Sequence, residues 1–202
     1  MTRADVLIIG GGIAGIGAGA ELAADRSVCV LEAERQIGYH ATGRSAAIFI
    51  RNYGNATLRA LNAAAAGFLE APEGYDLRAW PLFVSASERW YAKPEAGKLM
   101  VSPADEDPVE PHDAWADDMV LAEGLYRFEQ AVSISVTRVE HSWAGLRSFA
   151  PDRTPVVGHD PECEGFFWLA GQGGYGVQTA PALSRLTADL VAVVQPLGRH
   201  GK

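Results

Sequence analysis

The chain has 202 residues, room for one sizeable domain or a large domain with a small appended one. Apolar residues make up 48% and charged residues 21%, an ordinary globular balance that excludes a disordered chain. A formal net charge of −8 argues against broad binding of a nucleic-acid backbone, though not against a nucleotide held in a pocket.

Residues 4–9 (ADVLII) form a short apolar run of the kind that makes a buried parallel strand. Glycines follow at 10, 11 and 12, and residues 13–24 read as a helix with small residues on one side. Residues 28–32 (VCVLE) read as a second buried strand, with Cys29 as a small core residue. The apolar stretch 6–23 carries six glycines and leads into a patterned strand, so it reads as strand, turn and helix rather than a leader or membrane span. Cytoplasm is then the default. Two cysteines, Cys29 and Cys163, support no disulfide framework.

A glycine-bearing loop, residues 38–47, comes next. Asn55 is placed to cap a helix running to about Leu69, with Leu58, Leu61, Ala65 and Phe68 at helical spacing and Pro72 and Gly74 as its stop. The middle then changes character. Residues 80–86, 90–93 and 98–102 are short strand-like pieces, the last two joined as a hairpin by Pro94, Glu95, Ala96 and Gly97. Residues 105–118 carry seven acids and no Lys or Arg; this is a solvated loop or, less simply, a calcium site without regular ligand spacing. Leu121, Leu125, Phe128 and Val132 mark another helix, and residues 135–149 a strand-like piece. Residues 166–170 (FFWLA) read as a third buried strand of the first sheet. A turn, GQGGYG, leads into a helix from about Gly176 to Val194, with Pro181 in its first turn and a core-facing stripe of Leu183, Leu186, Leu190 and Val194.

The chemistry begins at Gly10-x-Gly12-x-x-Gly15, between a strand and a helix. Gly10 permits the tight turn, Gly12 clears space for a pyrophosphate, and Gly15 lets helix and strand approach. The helix N-terminus, with Ile13 and Ala14, offers unpaired N–H groups and partial positive charge to phosphates. Glu32, followed by Ala33, stands where an acid hydrogen-bonds ribose hydroxyls and disfavours a 2′-phosphate. A second set is the loop residues Arg44, Ser45 and Ala46, which suit a cofactor that extends beyond a plain NAD site; an ordinary surface loop is the alternative. A third is Gly173, Gly174, Tyr175 and Gly176, where a helix N-terminus can stabilise charge on a flat ligand; a turn that only packs is the alternative. Five histidines and no cysteine pair give no metal site.

With these elements in order, the chain resembles the D-amino-acid oxidase-like family of FAD enzymes. The resemblance rests on ADVLIIGGGIAGIGAGAELA, VLEAE, GYHATGRSAA and APDRTPVVGHD…GFFWLAGQGGYGVQTAPAL. Within that family, YGNATLRAL, WYAKPEAGKLMVSPADEDPVEPHD and HSWAGLRSF are most similar to broad D-amino-acid dehydrogenases, D-arginine dehydrogenase among them. Family members are nearly twice as long; here the sequence jumps near Tyr75–Arg78, omitting much of a substrate domain. The resemblance implies an α/β fold: a Rossmann-like FAD-binding parallel sheet from residues 1–76 and 150–202, and a reduced, mostly antiparallel substrate-side layer from 77–149. It also implies FAD as cofactor and oxidative deamination of D-amino acids, with Arg147 gripping the substrate carboxylate and Tyr53 and Tyr91 lining the pocket. Where close relatives carry a histidine, this chain has Ile48. The alternatives are a truncated FAD- or ADP-binding module without turnover and an NAD-binding oxidoreductase. The expected partner is a small amino-acid substrate, with no nucleic acid and no membrane span. A second copy of the chain is the expected cover for any apolar surface the shortening exposes.

Overall fold

The computed structural model describes residues 3–69, 81–95 and 98–193. The helix stop at Pro72 and Gly74, the jump near Tyr75–Arg78, the hairpin tip at Ala96–Gly97 and the stripe's end at Val194 lie outside the described residues. The chain divides into two compact units, Met1–Glu70 with Leu146–Lys202, and Ala71–Gly145.

The first unit opens with β1 (Val6–Ile9), α1 (Ile13–Leu22) and β2 (Val28–Leu31). β1 and β2 pair in parallel, Val6 opposite Val28 and Ile9 opposite Leu31, as a strand–helix–strand crossover requires. Asp5 and Ser27 lock the open end: the Ser27 hydroxyl donates to Asp5 Oδ2 at 2.7 Å, and Ser27 N donates to the same oxygen at 3.0 Å. One face of this pair packs on α1, where a Cβ on Gly19 would lie 3.3 Å from Ile8 and 3.7 Å from Val30.

Both strands were expected to be buried throughout, and Cys29 with them. Among the described residues only one face is covered. Leu7 is 58% exposed, Ile9 79% and Leu31 51%, and Cys29 is exposed on the same side. The third strand also differs from expectation. β7 (Phe167–Ala170) pairs with β6 (Val156–His159), antiparallel, His159 opposite Phe167, and takes no place in the parallel ladder. The connection at 160–166 is far too short for a crossover and long enough for a hairpin. The Asp160 carboxylate closes it, accepting from Glu162 N, Cys163 N and the Trp168 indole, each at 2.8 Å.

Helix α2 (Ala56–Leu69) starts as its sequence predicts. The Asn55 side chain accepts from Leu58 N at 3.0 Å, and Leu58 and Ala65 are buried. A short 3-10 turn (Gly173–Tyr175) precedes α4 (Gly176–Val193), which packs on α1 and α2. Its buried face corrects the leucine stripe. Gln178, Thr179, Ala182, Leu183, Ser184 and Thr187 are buried, whereas Leu186 is 38% exposed. Small residues win because α1 approaches closely: a Cβ on Gly17 would collide with the Ser184 hydroxyl. Pro181 is the sixth helical residue, past the first turn, and leaves the Val177 carbonyl without its usual donor.

The second unit is built on β3 (Phe83–Val84), β4 (Tyr91–Glu95), β5 (Lys98–Ser102) and α3 (Asp118–Ala131). The strands form one antiparallel sheet in the order β3-β4-β5. Trp90, Ala92 and Phe128 form its core, with Phe83, Leu99, Val101, Val132 and Val136 packed around them. The Trp90 and Phe128 rings meet edge to face at 5.4 Å. The strand expected over 135–149 does not form: among the described residues its pairing is a single bridge from Phe149 to Gln172. Val136 N donates instead to the Glu129 carboxylate at 2.6 Å, a side-chain bond in place of a ladder.

Candidate functional site: a glycine-lined nucleotide cradle

At the C-terminal end of β1 the chain turns through Gly10, whose φ of 103° is left-handed backbone open mainly to glycine. Gly12 is the N-cap of α1 and supplies no side chain to cap it. A Cβ on Gly15 would collide with the Gly10 carbonyl oxygen, so the helix can start this close to the strand only without one. The result is a helix N-terminus whose cap residue brings no side chain of its own, the kind of helix end that receives phosphate.

Glu32 reaches this turn from the end of β2. Its Oε2 accepts from Gly11 N at 2.6 Å and its Oε1 from Glu34 N at 2.9 Å. These bonds, Glu34 first and Gly11 second, hold the Glu32 carboxyl below the usual carboxylate range. A fixed carboxylate beside the phosphate turn has lone pairs left for ribose hydroxyls. Ala33 continues the chain on the exposed side. Further out, Glu34 meets the His40 ring at 2.9 Å, Tyr39 stacks edge-on to His40 at 5.0 Å, and the Arg44 guanidinium lies 5.2 Å over Tyr39. The acid, the loop arginine and the residues between them thus form one connected rim.

Thr42, which no sequence motif marks, joins the loop to the turn. Its Oγ1 accepts from Ile13 N at 3.0 Å, so the loop's side chain occupies the first amide of α1 across 29 residues of sequence. Gly38 N donates to Gly11 O at 3.0 Å, a second tie between loop and turn. Two glycines bracketing one threonine were the available signal. Ser45 Oγ accepts from Ala47 N at 3.1 Å and shapes its own loop, with Ala46 between.

The glycine turn before α4 lies in the same unit. Gly173 has φ 53°, and a Cβ there would stand 2.5 Å from the Phe149 ring. Arg147 comes beside it: its Nη1 lies 3.5 Å from the Cβ position of Gly174. Tyr175 meets Tyr53 ring to ring at 5.3 Å. Tyr53 is held from below by buried Asn62, whose Nδ2 reaches the Ile50 and Tyr53 carbonyls at 3.2 Å each. Gln178, likewise unmarked by any motif, is buried on α4, and its Oε1 accepts from Ile50 N at 3.1 Å. Arg147, Gly173, Gly174, Tyr175, Gly176 and Tyr53 therefore belong to one local structure. Tyr91 stands on β4 of the other unit, opposite Ser102. Among the described residues no group of His, Cys, Asp and Glu could hold a metal ion, and no helix is long and apolar enough to cross a membrane.

The cradle fits a dinucleotide such as FAD: a turn without side chains at Gly10, Gly12 and Gly15, a helix start with no side-chain cap of its own, and a fixed carboxylate for ribose. Comparison with known proteins agrees. The family model described as FAD dependent oxidoreductase (DAO) matches residues 5–76 and 67–190. The chain is 29% identical over 126 residues to FAD-dependent oxidoreductase domain-containing protein 1 of Bos taurus, covering 59% of this chain and 26% of that one. It is 41% identical over 51 residues to a D-amino acid dehydrogenase of Neisseria gonorrhoeae, covering 25% of this chain and 12% of that one. It thus spans about a quarter or less of these relatives' length. The crystal structure of glycine oxidase from Geobacillus kaustophilus superposes with a TM-score of 0.63 at 15% identity, covering 100% of both chains, a likeness of fold. The chain belongs to the DAO family of FAD-dependent oxidoreductases.

Proposed function

We propose that this chain binds FAD and oxidises D-amino acids to imines, which water hydrolyses to 2-oxo acids and ammonia. The observation that carries the reading is Arg147 against Gly174 at the glycine turn, in the same unit as the Gly10–Glu32 cradle. Residues 1–76 and 150–202 are read as the FAD-binding domain and 77–149 as the remnant substrate domain.

When bound, FAD supplies the acceptor for the hydride that leaves the substrate α-carbon. The chain supplies position and charge. Gly12, Ile13, Ala14 and Gly15 receive the pyrophosphate, and Glu32 the ribose. Arg44, Ser45 and Ala46 follow the cofactor outward. Gly173, Gly174, Tyr175 and Gly176 bring the partly positive start of α4 against a flat, electron-rich ring, while Gly173 N and Tyr175 N stay bonded to the Ser148 and Gln172 carbonyls. The Arg147 fork takes the α-carboxylate in two parallel hydrogen bonds. Tyr53, braced by Asn62 and Tyr175, faces the substrate, and the family resemblance alone assigns Tyr91 the same task. The amine must be neutral to share its lone pair with the α-carbon as hydride departs.

Anaerobic addition of a D-amino-acid panel to the flavin-loaded protein should bleach the flavin absorbance, and L-isomers should not. Unchanged absorbance with every D-amino acid would sink the reading. One alternative is a module that holds FAD or ADP without turnover. Bound flavin that no substrate reduces would identify it.

A further inference from the structure

Parallel strands ordinarily lie covered on both faces, and their side chains are apolar on both for that reason. The pair β1 and β2 breaks this rule. Ile8, Val28 and Val30 turn toward α1, each within 3.8 Å of the Cβ position of Gly19. Leu7, Ile9, Cys29 and Leu31 turn the other way and are exposed. Leu7 stands opposite Cys29 and Ile9 opposite Leu31, so the four make one apolar rectangle.

The same alternation runs through β6 and β7. Val156 and Trp168 are each 43% exposed, while Val157 and Leu169 are half-buried. Trp168 is fixed in place: its indole N–H donates to Asp160, and the exposed Phe166 ring packs on it at 4.8 Å. Helix α1 touches β1, β2 and β7, and α4 touches α1 and β6. One helix layer therefore underlies both strand pairs, and their bare faces lie on the side away from it. Leu7, Ile9, Leu31, Val156, Phe166 and Trp168 together leave roughly 600 Å² of apolar surface open, the upper end of what a monomer's largest patch shows.

We propose that this face is the interface of a homodimer, in which a second copy of the chain lays the same face against it about a two-fold axis. Two such faces would bury about 1,200 Å², the lower bound of a specific protein interface. One patch serves both partners, as a two-fold contact requires, and two sheet faces pack naturally at a spacing of about 10 Å. A ring already held by Asp160 and Phe166 loses little freedom on docking, which suits Trp168 as an anchor. Charge permits the contact. Met1–Glu70 with Leu146–Lys202 holds 11 acidic and 11 basic residues, so the net −8 belongs wholly to Ala71–Gly145. The proposal is independent of whether flavin binds or is reduced.

Cys29 supplies the readout, because it stands on this face opposite Leu7. In a Cys163→Ser chain it is the sole thiol. Sedimentation of that full chain should give twice the 21.5 kDa chain mass at about 100 μM and dissociation toward about 1 μM, and maleimide labelling of Cys29 should slow about tenfold on association. Leu7→Lys sets a charge in the apolar face; it should raise the dissociation constant by about tenfold or more and restore fast labelling. Leu186→Lys, at an exposed position of α4, should change neither. A monomer at every concentration would overturn the proposal, and so would a dimer whose Cys29 labels as fast as the monomer's. Cys29 protected in the monomer would overturn it as well, since the rest of the same chain would then cover the face. Equal loss of the dimer in Leu186→Lys and Leu7→Lys would do the same, because the contact would not be specific to the sheet.

Discussion

Helices α1 and α3 begin in opposite ways, and the contrast separates a site from a scaffold. At α3 the Asp117 side chain accepts from Met119 N at 2.8 Å and Val120 N at 3.0 Å. The helix satisfies its own first amides locally and needs nothing else. At α1 the N-cap is Gly12, which has no side chain to give, and a side-chain acceptor comes instead from Thr42 in a distant loop. A stable helix forgoes its own cap at a cost in stability, and it does so where a ligand completes it. The glycines that make α1 poorer as a helix make it better as a phosphate receptor.

The largest break in this contrast is Gly15→Val. Its Cβ would meet the Gly10 carbonyl, a backbone atom that cannot rotate aside. We expect loss of bound flavin on purification and about 1–3 kcal/mol of destabilisation from overpacking, read by thermal unfolding. Retained flavin at wild-type content would show that strand and helix need not approach so closely.

Glu32→Gln comes next. It keeps the shape but removes the charge that holds Gly11 N and Glu34 N, and FAD affinity should fall by about tenfold in a flavin-fluorescence titration. Because Glu32 titrates below the ordinary carboxylate range, its contribution has a definite sign with pH. It is fully present above the unfolded glutamate value and fades as pH falls through the lower folded value. Wild-type thermal stability should therefore decline on the acid side, and the Gln variant should lack that part of the decline.

Thr42→Val sharpens the comparison. Without flavin it leaves Ile13 N unanswered and should cost about 1 kcal/mol, like any lost cap. With flavin the phosphate takes over that amide, so the cost should shrink. Equal losses in both states would mean that Thr42 and phosphate do not compete for Ile13 N. Asp117→Ala should cost a similar ~1 kcal/mol but leave FAD affinity unmoved. An affinity change there would couple the second unit to the cradle.

Much of the cradle was legible because its chemistry is local. Gly10, Gly12 and Gly15 are read from a turn, a helix start and a close approach, all within one strand–helix step. Asn55 was legible as a cap for the same reason. Thr42 and Gln178 were not, since each acts on a backbone group far along the chain: Thr42 on Ile13 N, and Gln178 on Ile50 N, with 128 residues between. Residues 166–170 misled because an apolar run looks alike in a buried parallel strand and in a hairpin arm; the short connection at 160–166 was the better guide. The leucine stripe of α4 misled because spacing marks a face but not how closely a neighbour approaches it. Once α1 brings Gly17 to Ser184, small and polar residues fill that face and Leu186 turns outward.

By itself, then, the sequence determined the glycine turn, the acid that reaches it and the family, because backbone conformation and helix-end electrostatics are properties of neighbouring residues. Only the tertiary structure decided what completes the turn, which face of the first sheet is bare, and that Arg147 comes beside Gly174. Those depend on which distant segments meet, and side-chain packing and long-range hydrogen bonds settle that only when the chain has folded.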